Sequence, residues 1–233
     1  MSIAENLAQV KARVAAAARA CGRDENDILL IGASKMNDAE RVREAVAAGL
    51  PACGENRVQE LREKNELGAY EGAELHFIGT LQKNKVKYLV GVVKLIHSVD
   101  SVELMQAIDK QAQKIGVVQD ILLEINTGGE ESKSGFSPDE LSNALFEASK
   151  LPGIRVRGLM TIPPICVDGT ENIPFFQLLK QLFVDNSEKK YDNVYMDFMS
   201  MGMSADFEAA IACGSNMIRV GTAIFGQRSY PAK

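Results

Sequence analysis

The sequence has 233 residues, 46% of them hydrophobic and 24% charged, which is the composition of an ordinary globular domain and excludes a disordered or collagen-like chain. Its 26 Lys and Arg against 31 Asp and Glu give a net charge of −5. Nucleic acid is therefore not an expected partner, because binding to a phosphate backbone needs concentrated positive charge. No apolar run approaches the roughly 18 residues that a membrane span needs. We expect a cytoplasmic protein that does not bind membranes.

The cysteines and histidines indicate neither a disulfide framework nor a metal site. Four cysteines lie far apart and form no C-x-x-C pair, which predicts reduced and mostly buried thiols; they are Cys21, Cys53, Cys166 and Cys213. The two histidines, His76 and His97, have no clustered cysteine or carboxylate. We expect them to make structural hydrogen bonds, and we expect no metal ion.

In chain order, the sequence begins with a helical pattern and continues with alternating strand and helix patterns. Apolar residues from Ile3 to Val14 recur at helical spacing and predict an amphipathic helix that ends near Gly22. Eight short apolar runs then predict strands at 28–33, 50–53, 75–78, 94–97, 118–126, 154–160, 193–197 and 217–220. The helical stretches between them are 38–48, 56–67, 83–90, 101–115, 138–150, 171–188 and 204–213.

This alternation of strands and helices predicts a parallel sheet. A doubly wound open sheet is the competing arrangement. Eight strand-helix units in a chain of this length match a single (β/α)8 or TIM barrel, with an extra helix at the N-terminus. We expect this barrel to occupy residues 1–233 as one domain.

In such a barrel the functional groups follow the strands, at the C-terminal end of the barrel. Lys35 comes just after the first predicted strand. Partial burial there would favour the neutral, nucleophilic amine, which can form a Schiff base. The alternative is a solvated surface lysine, and position alone does not decide between the two.

The last two strand-to-helix loops contain groups suited to an anion, and barrels of this type frequently bind phosphate there. Ser204 is predicted to cap a helix that has Asp206 in its first turn, so that a hydroxyl and free N–H groups face the anion. Gly221 and Thr222 add a backbone that a ligand can approach closely and a second hydroxyl. An ordinary cap and an ordinary turn are the alternatives for each residue alone, but the joint placement favours a phosphate site.

Arg219 interrupts an apolar strand, where a guanidinium is costly without a partner. A structural ion pair is one explanation. The other is that Arg219, placed at the base of the eighth strand, faces the ring of a phosphorylated aldehyde bound by Lys35. An amine, a phosphate site and a polar anchor for a ring together suggest pyridoxal 5′-phosphate (PLP) as the cofactor.

Nine stretches carry a resemblance to a known family: 34–35 (SK), 54–60 (GENRVQE), 76–79 (HFIG), 81–85 (LQKNK), 96–100 (IHSVD), 129–136 (GEESKSGF), 157–160 (RGLM), 199–204 (MSMGMS) and 219–226 (RVGTAIFG). In this order, over nearly the whole chain, they resemble the pyridoxal-phosphate homeostasis proteins (YggS/PROSC type). The resemblance implies one barrel like the N-terminal domain of alanine racemase, with PLP bound at its C-terminal end.

The resemblance also implies a role for each candidate residue. Lys35 would form the Schiff base, Ser204, Gly221 and Thr222 would bind the phosphate, Arg219 would approach the pyridine nitrogen, and Asn56 and Met160 would line the cofactor. Because a guanidinium stays protonated, the ring nitrogen would accept its hydrogen bond and the ring would be a weaker electron sink, which disfavours transamination relative to simple binding or racemisation.

Three functions are weighed on this basis. The first is a monomeric PLP-binding protein without robust catalysis, which contributes to intracellular PLP (vitamin B6) homeostasis and passes PLP to PLP-dependent apo-enzymes. The alternative is a PLP-dependent amino-acid racemase, which needs a base on each face of the substrate α-carbon. Lys35 would serve one face, and no partner base is evident in the sequence. A class I aldolase is disfavoured by a lysine on the first strand and by the family motifs.

Overall fold

The computed structural model describes residues 1–130 and 134–226, and within them eight parallel strands close into one barrel in chain order. The strands are β1 (Leu29–Ala33), β2 (Ala52–Glu55), β3 (Glu74–Phe77), β4 (Leu95–Val99), β5 (Gln119–Glu124), β6 (Ile154–Met160), β7 (Val194–Ser200) and β8 (Met217–Val220). This arrangement confirms the predicted (β/α)8 barrel over an open sheet.

Helices surround the strands. The α-helices are α1 (Ile3–Ala20), α2 (Ala39–Ala47), α3 (Val58–Glu66), α4 (Val102–Ile115), α5 (Leu141–Ala148), α6 (Ile173–Ser187), α7 (Phe207–Ala212) and α8 (Thr222–Phe225). Short 3-10 helices lie at Glu25–Asp27, Lys83–Tyr88, Pro138–Glu140 and Gly169–Asn172. None of the helices in the described part of the chain combines the length and the apolar character needed to cross a membrane.

The predicted extra helix at the N-terminus is α1. A capping box fixes its start, because the Ser2 hydroxyl accepts from the N–H of Glu5 (3.2 Å) while the Glu5 carboxylate accepts from the N–H of Ser2 (2.8 Å). Its apolar face, from Ile3 to Ala18, is buried and packs against α7 and α8. This helix therefore supports the last two strand-to-helix units, where the sequence predicts a phosphate site.

The core has an outer part between strands and helices and a smaller part inside the barrel. The interior cluster comprises Ile31, Ala52, Leu95, Leu122, Met160 and Met217. Near the N-terminal ends of the strands, Asp120 accepts from Arg155 (2.6 Å) and Arg157 (2.9 Å). Strands buried on both faces read as nearly continuous apolar runs, which is why they were recognisable in the sequence.

Some elements differ from the prediction for local reasons. β2 begins two residues later than predicted, because Pro51 has no N–H to donate to the strand ladder. The stretch 83–90 forms the 3-10 helix Lys83–Tyr88 instead of an α-helix. Val86 is its buried residue, and Lys83 and Lys87 would repel each other across one α-helical turn. Among the cysteines, Cys21 is exposed, contrary to the expectation of mostly buried thiols.

Candidate cofactor-binding site

The turn that carries Lys35 follows β1 at the C-terminal end of the barrel. Ser34, just before it, is fully buried; its N–H donates to the carbonyl of Gly54 (3.0 Å) and its hydroxyl donates to Glu55 Oε1 (2.6 Å). Met36, just after it, has a left-handed φ of 62°, which residues other than glycine keep only where the surrounding structure holds them. Lys35 itself is half-buried.

A buried ion cluster, formed by Glu55, Glu60 and Lys64, holds this turn in place. The Lys64 ammonium donates to Glu55 Oε1 (2.8 Å), to Glu60 Oε1 (2.7 Å) and to the carbonyl of Ser34 (2.9 Å). The same Glu60 oxygen accepts from the N–H of Met36 (2.5 Å). Burial raises the pKa of the Glu55 carboxyl, and the Lys64 charge opposes that shift. The cluster therefore fixes the backbone on both sides of the reactive lysine predicted from the sequence.

The closure of the barrel brings Lys35 next to the last strand. A cavity of about 220 Å³ lies between the turn after β1 and the loop after β8, and Lys35, Gly221 and Thr222 are among its lining residues. Four predicted residues do not line this cavity: Asn56, Met160, Ser204 and Arg219. A larger cavity of about 880 Å³ lies at the opposite, N-terminal end beside α1, and none of the predicted residues lines it.

Ser204 does not cap the seventh helix, which corrects the prediction. α7 begins at Phe207 with Asp206 as its N-cap, because the buried Asp206 carboxylate accepts the N–H three residues before it (2.6 Å) and holds a turn ahead of the helix. The Ser204 hydroxyl instead accepts from the N–H groups of Gly221 (3.2 Å) and Ala223 (3.4 Å). The predicted phosphate-binding residues of the last two loops are thereby joined.

Backbone N–H groups at this junction are available to an anion. Across residues 1–130 and 134–226, the N–H groups of Ser204 and Thr222 have no hydrogen-bond acceptor. A Cβ placed on Gly221 would meet only Ala33, at 3.4 Å, so internal packing does not demand a glycine there. Two free N–H groups and two hydroxyls at the same place suit the oxygens of a phosphate.

Arg219 lies one residue before the C-terminal end of β8 and not at the base of the strand as predicted. It is 3% exposed, and its guanidinium donates to the carbonyl of Thr161 (2.8 Å) and to Ser200 Oγ (2.5 Å). Burial lowers its pKa to about 10, against the opposing charges of Glu124 and Asp206. No described carboxylate is within ion-pair distance, so the structural ion pair is not found there. The remaining N–H donors of the guanidinium have no acceptor in the described part of the chain.

Asn56 and Met160 lie on opposite sides of the C-terminal end of the barrel. Asn56 directly follows β2, and its Oδ1 is buried with no hydrogen-bond partner among the described residues. Its backbone is so close to Gly79 that a Cβ on Gly79 would stand 2.3 Å from the carbonyl oxygen of Asn56. Met160 ends β6 and is fully buried in the interior cluster beside Ile31. Asn56 thus offers a spare acceptor, whereas Met160 offers only apolar surface.

Glu124, the last residue of β5, is a candidate that sequence reasoning missed. Its side chain is 8% exposed, and burial together with Asp100 raises its pKa to about 7, while Arg219 opposes the shift. The available signal was an acidic residue with apolar residues on both sides of it, near the C-terminal end of the fifth predicted strand. The glycine-rich segment 128–135 follows closely after β5, and its residues 131–133 lie outside the described part of the chain.

The two histidines hydrogen-bond to each other inside the barrel, with 2.9 Å between His76 Nδ1 and His97 Nε2, as expected of structural histidines. In the described part of the chain, no three His, Cys, Asp or Glu side chains are grouped so that they could hold a metal ion.

Comparison with known proteins identifies the class first. The family described as "Alanine racemase, N-terminal domain" matches residues 2–229. The chain is therefore a barrel of the alanine racemase N-terminal type, with its lysine in the turn after β1.

Comparison with individual relatives identifies the family within this class. A pyridoxal phosphate homeostasis protein of Aquifex aeolicus (strain VF5) is 45% identical over 230 residues, which cover 99% of this chain and 100% of the relative. The protein of the same name from Escherichia coli (strain K12) is 40% identical over 235 residues and 99% of both chains. PipY of Synechococcus elongatus PCC7942, solved with PLP bound, superposes with a TM-score of 0.82 at 33% identity, over 97% of this chain and 100% of PipY. The chain belongs to the pyridoxal phosphate homeostasis protein family, which confirms the resemblance.

Proposed function

We propose that this protein binds PLP through a Schiff base on Lys35 and contributes to intracellular PLP homeostasis without robust catalysis. The observation that carries the proposal is the shared cavity of Lys35, Gly221 and Thr222, which places an amine beside a predicted phosphate site. The names of the relatives at 45% and 40% identity, and the PLP in the PipY structure, support the same cofactor.

The unused polar groups of the site fit the polar groups of PLP. The N–H groups of Ser204 and Thr222 suit the phosphate. The spare donors of Arg219 suit the pyridine nitrogen, which is an acceptor. The partnerless Oδ1 of Asn56 suits a donor on the ring or on the amine.

The chemistry that the residues supply follows from these positions. The Lys35 amine, in its neutral form, attacks an aldehyde carbon, and water leaves as the C=N bond forms. When bound, PLP supplies an electron sink for carbanions. Arg219 weakens that sink, because a guanidinium donates a hydrogen bond to the ring nitrogen and does not give up its proton. A weaker electron sink disfavours transamination relative to simple binding or racemisation.

The lining of the cavity also supports binding over racemisation, which requires a base on each face of the substrate α-carbon. No described tyrosine or histidine lines the cavity. Its carboxylate, Asp38, caps α2 by accepting from the N–H of Arg41 (2.9 Å). Tyr70 is buried elsewhere and donates to Glu55. We propose that the protein acts as a monomer in the cytoplasm and releases PLP to PLP-dependent apo-enzymes.

A PLP titration followed by visible absorption, combined with an assay of alanine racemisation, tests this function. Wild-type protein is expected to gain a saturable absorption band and to show no racemisation at ordinary enzymatic rates. Lys35→Ala is expected to gain no such band. Lys114→Ala, which changes an exposed lysine of α4, serves as the matched control and should behave as wild type. A wild-type protein that gains no band, or that racemises alanine efficiently, would refute the proposal.

A further inference from the structure

A continuous series of hydrogen bonds crosses the interior of the barrel and ends on Arg219. His76 Nε2 lies 3.2 Å from Glu74 Oε2, His76 Nδ1 lies 2.9 Å from His97 Nε2, and His97 Nδ1 lies 2.9 Å from Ser200 Oγ. Ser200 Oγ accepts from the Arg219 guanidinium. We call these five residues the histidine network. All are buried except Glu74, whose carboxylate is about half exposed near the N-terminal end of the barrel.

The groups at the two ends of the histidine network determine which atom donates and which accepts in each of its hydrogen bonds. Arg219 can only donate, so Ser200 Oγ must accept from it, and the Ser200 hydroxyl is then free to donate to His97 Nδ1. His97 therefore carries its proton on Nε2 and donates to His76 Nδ1. His76 in turn carries its proton on Nε2 and donates to the Glu74 carboxylate, which can only accept. Each donor in the series then has one acceptor.

Reversing the donors and acceptors of the two histidines leaves one contact with two acceptors and no proton between them. If His97 carried its proton on Nδ1, His76 would have to donate from Nδ1, and its bare Nε2 would face the Glu74 carboxylate. Two acceptors 3.2 Å apart repel, and the hydrogen bond to His76 lowers the pKa of Glu74, so this carboxylate is ionised. Burial and the nearby charge of Arg219 also lower the pKa of His97, so His97 is neutral at physiological pH.

We propose that Ser200 and His97 are positioning residues for the Arg219 guanidinium, and that each histidine ring carries its proton on Nε2 and accepts at Nδ1. The Ser200 hydroxyl holds one side of the guanidinium because His97 Nδ1 takes its proton. The carbonyl of Thr161 holds another side (2.8 Å), which leaves the remaining donors of the guanidinium for the ring of the cofactor. This last step rests on the proposed function, whereas the proton positions do not.

The proton positions are tested on protein without PLP. Long-range ¹H–¹⁵N correlation spectra of ¹⁵N-histidine-labelled protein at about pH 8 distinguish a protonated ring nitrogen from a bare one, and this pH is above the ordinary pKa of histidine. The chain contains two histidines, so His76→Gln assigns both. We expect Nε2–H for both rings. An Nδ1–H on either ring, or a doubly protonated ring, would overturn the proposal.

The positioning role is tested with Ser200→Ala. In the protein without PLP, the ¹⁵N shift of His97 Nδ1 should move toward that of a ring nitrogen with no donor. In the loaded protein, PLP affinity should fall about tenfold, as for the loss of one hydrogen bond to a charged group, and the absorption band should shift. Ser215→Ala removes another buried hydroxyl, outside the histidine network, and controls for lost stability.

These outcomes separate the two proposals. If wild-type protein binds no PLP but shows both Nε2–H tautomers, the proposed function fails and the histidine network stands. If PLP binds but Ser200→Ala leaves the affinity, the absorption band and the His97 shift as they are in Ser215→Ala, the positioning role fails and the proposed function stands.

Discussion

At the scale of single residues, the hydroxyls of Ser204 and Thr222 are the groups on which the proposed phosphate site most depends. The Ser204 oxygen already accepts two N–H groups of the next loop, so its own proton is available to an anion. Thr222 is exposed at the edge of the cavity that contains Lys35. Hydrogen bonds to charged groups contribute about 1.5–3 kcal/mol each.

Ser204→Ala combined with Thr222→Ala should therefore raise the Kd for PLP by at least about a hundredfold. Fluorescence or absorption titration measures the Kd. The affinity for pyridoxal, which lacks the phosphate, should hardly change. Ser142→Ala on the surface of α5 is the matched control. An unaltered affinity of the double variant for PLP would refute this location of the phosphate.

Glu124 has a pKa of about 7 against an ordinary value of 4.5, and the sign of its effect on stability follows. Below pH 4.5 the Glu124 carboxyl is protonated in both the folded and the unfolded protein, so it does not lower the free energy of unfolding. Between pH 4.5 and pH 7 the unfolded chain releases this proton while the folded protein keeps it, so the fold loses about 3 kcal/mol of stability, and the loss is complete above pH 7.

Glu124→Gln should accordingly be more stable than wild type at pH 8, by up to about 3 kcal/mol, and the difference should shrink toward zero near pH 4.5. Urea unfolding of the protein without PLP at both pH values measures it. Glu103→Gln, an exposed residue of α4, is the control. A Glu124→Gln protein that is less stable than wild type at pH 8 would contradict the burial argument.

At the scale of elements, β6 has an irregular backbone before its last residues. Its pairing with β7 shifts between Val156 and Gly158, and its last residue, Met160, is buried inside the barrel. Gly158 has a φ of 143°, and a Cβ there would stand 1.9 Å from the carbonyl oxygen of Phe198. Only glycine fits this close approach.

Gly158→Ala should destabilise the fold by about 3 kcal/mol or more, because backbone strain and a clash with a neighbouring strand act together. Gly116→Ala is the matched control, since Gly116 also has a positive φ (73°) but open space around its Cβ position; it should lose only about 1–2 kcal/mol. Urea unfolding compares the two. Equal losses would show that the close approach in β6 does not matter.

Element types were largely predictable from the sequence, and side-chain contacts were not. The apolar runs of buried parallel strands gave the order of β1 to β8, and the alternation gave the fold. Ser204 shows where local patterns fail, because the cap of α7 was decided by the buried carboxylate of Asp206, two residues later. The partners of Arg219 are Ser200, at the end of β7, and Thr161, just after β6, and no local pattern in β8 indicates them.

At the scale of the whole molecule, closure of the barrel makes the site. β1 pairs with β8 across the full length of the chain, with Ile31 beside Arg219, and this pairing sets Lys35 and Gly221 on one cavity. The sequence predicted both residues separately. Their proximity followed from the barrel prediction, since the C-terminal ends of all strands lie together. The buried ion cluster that holds the Lys35 turn, in contrast, was visible only in the folded structure.

The proposed function depends above all on a Schiff base between Lys35 and PLP. Peptide mapping by mass spectrometry detects it after PLP-loaded protein is reduced with borohydride, because hydride adds to the C=N bond and leaves a stable C–N single bond. We expect one modified peptide, which contains Lys35 and has gained the mass of a phosphopyridoxyl group. We expect no modification in Lys35→Ala. Modification of a different lysine in the wild-type protein, or of none, would contradict it.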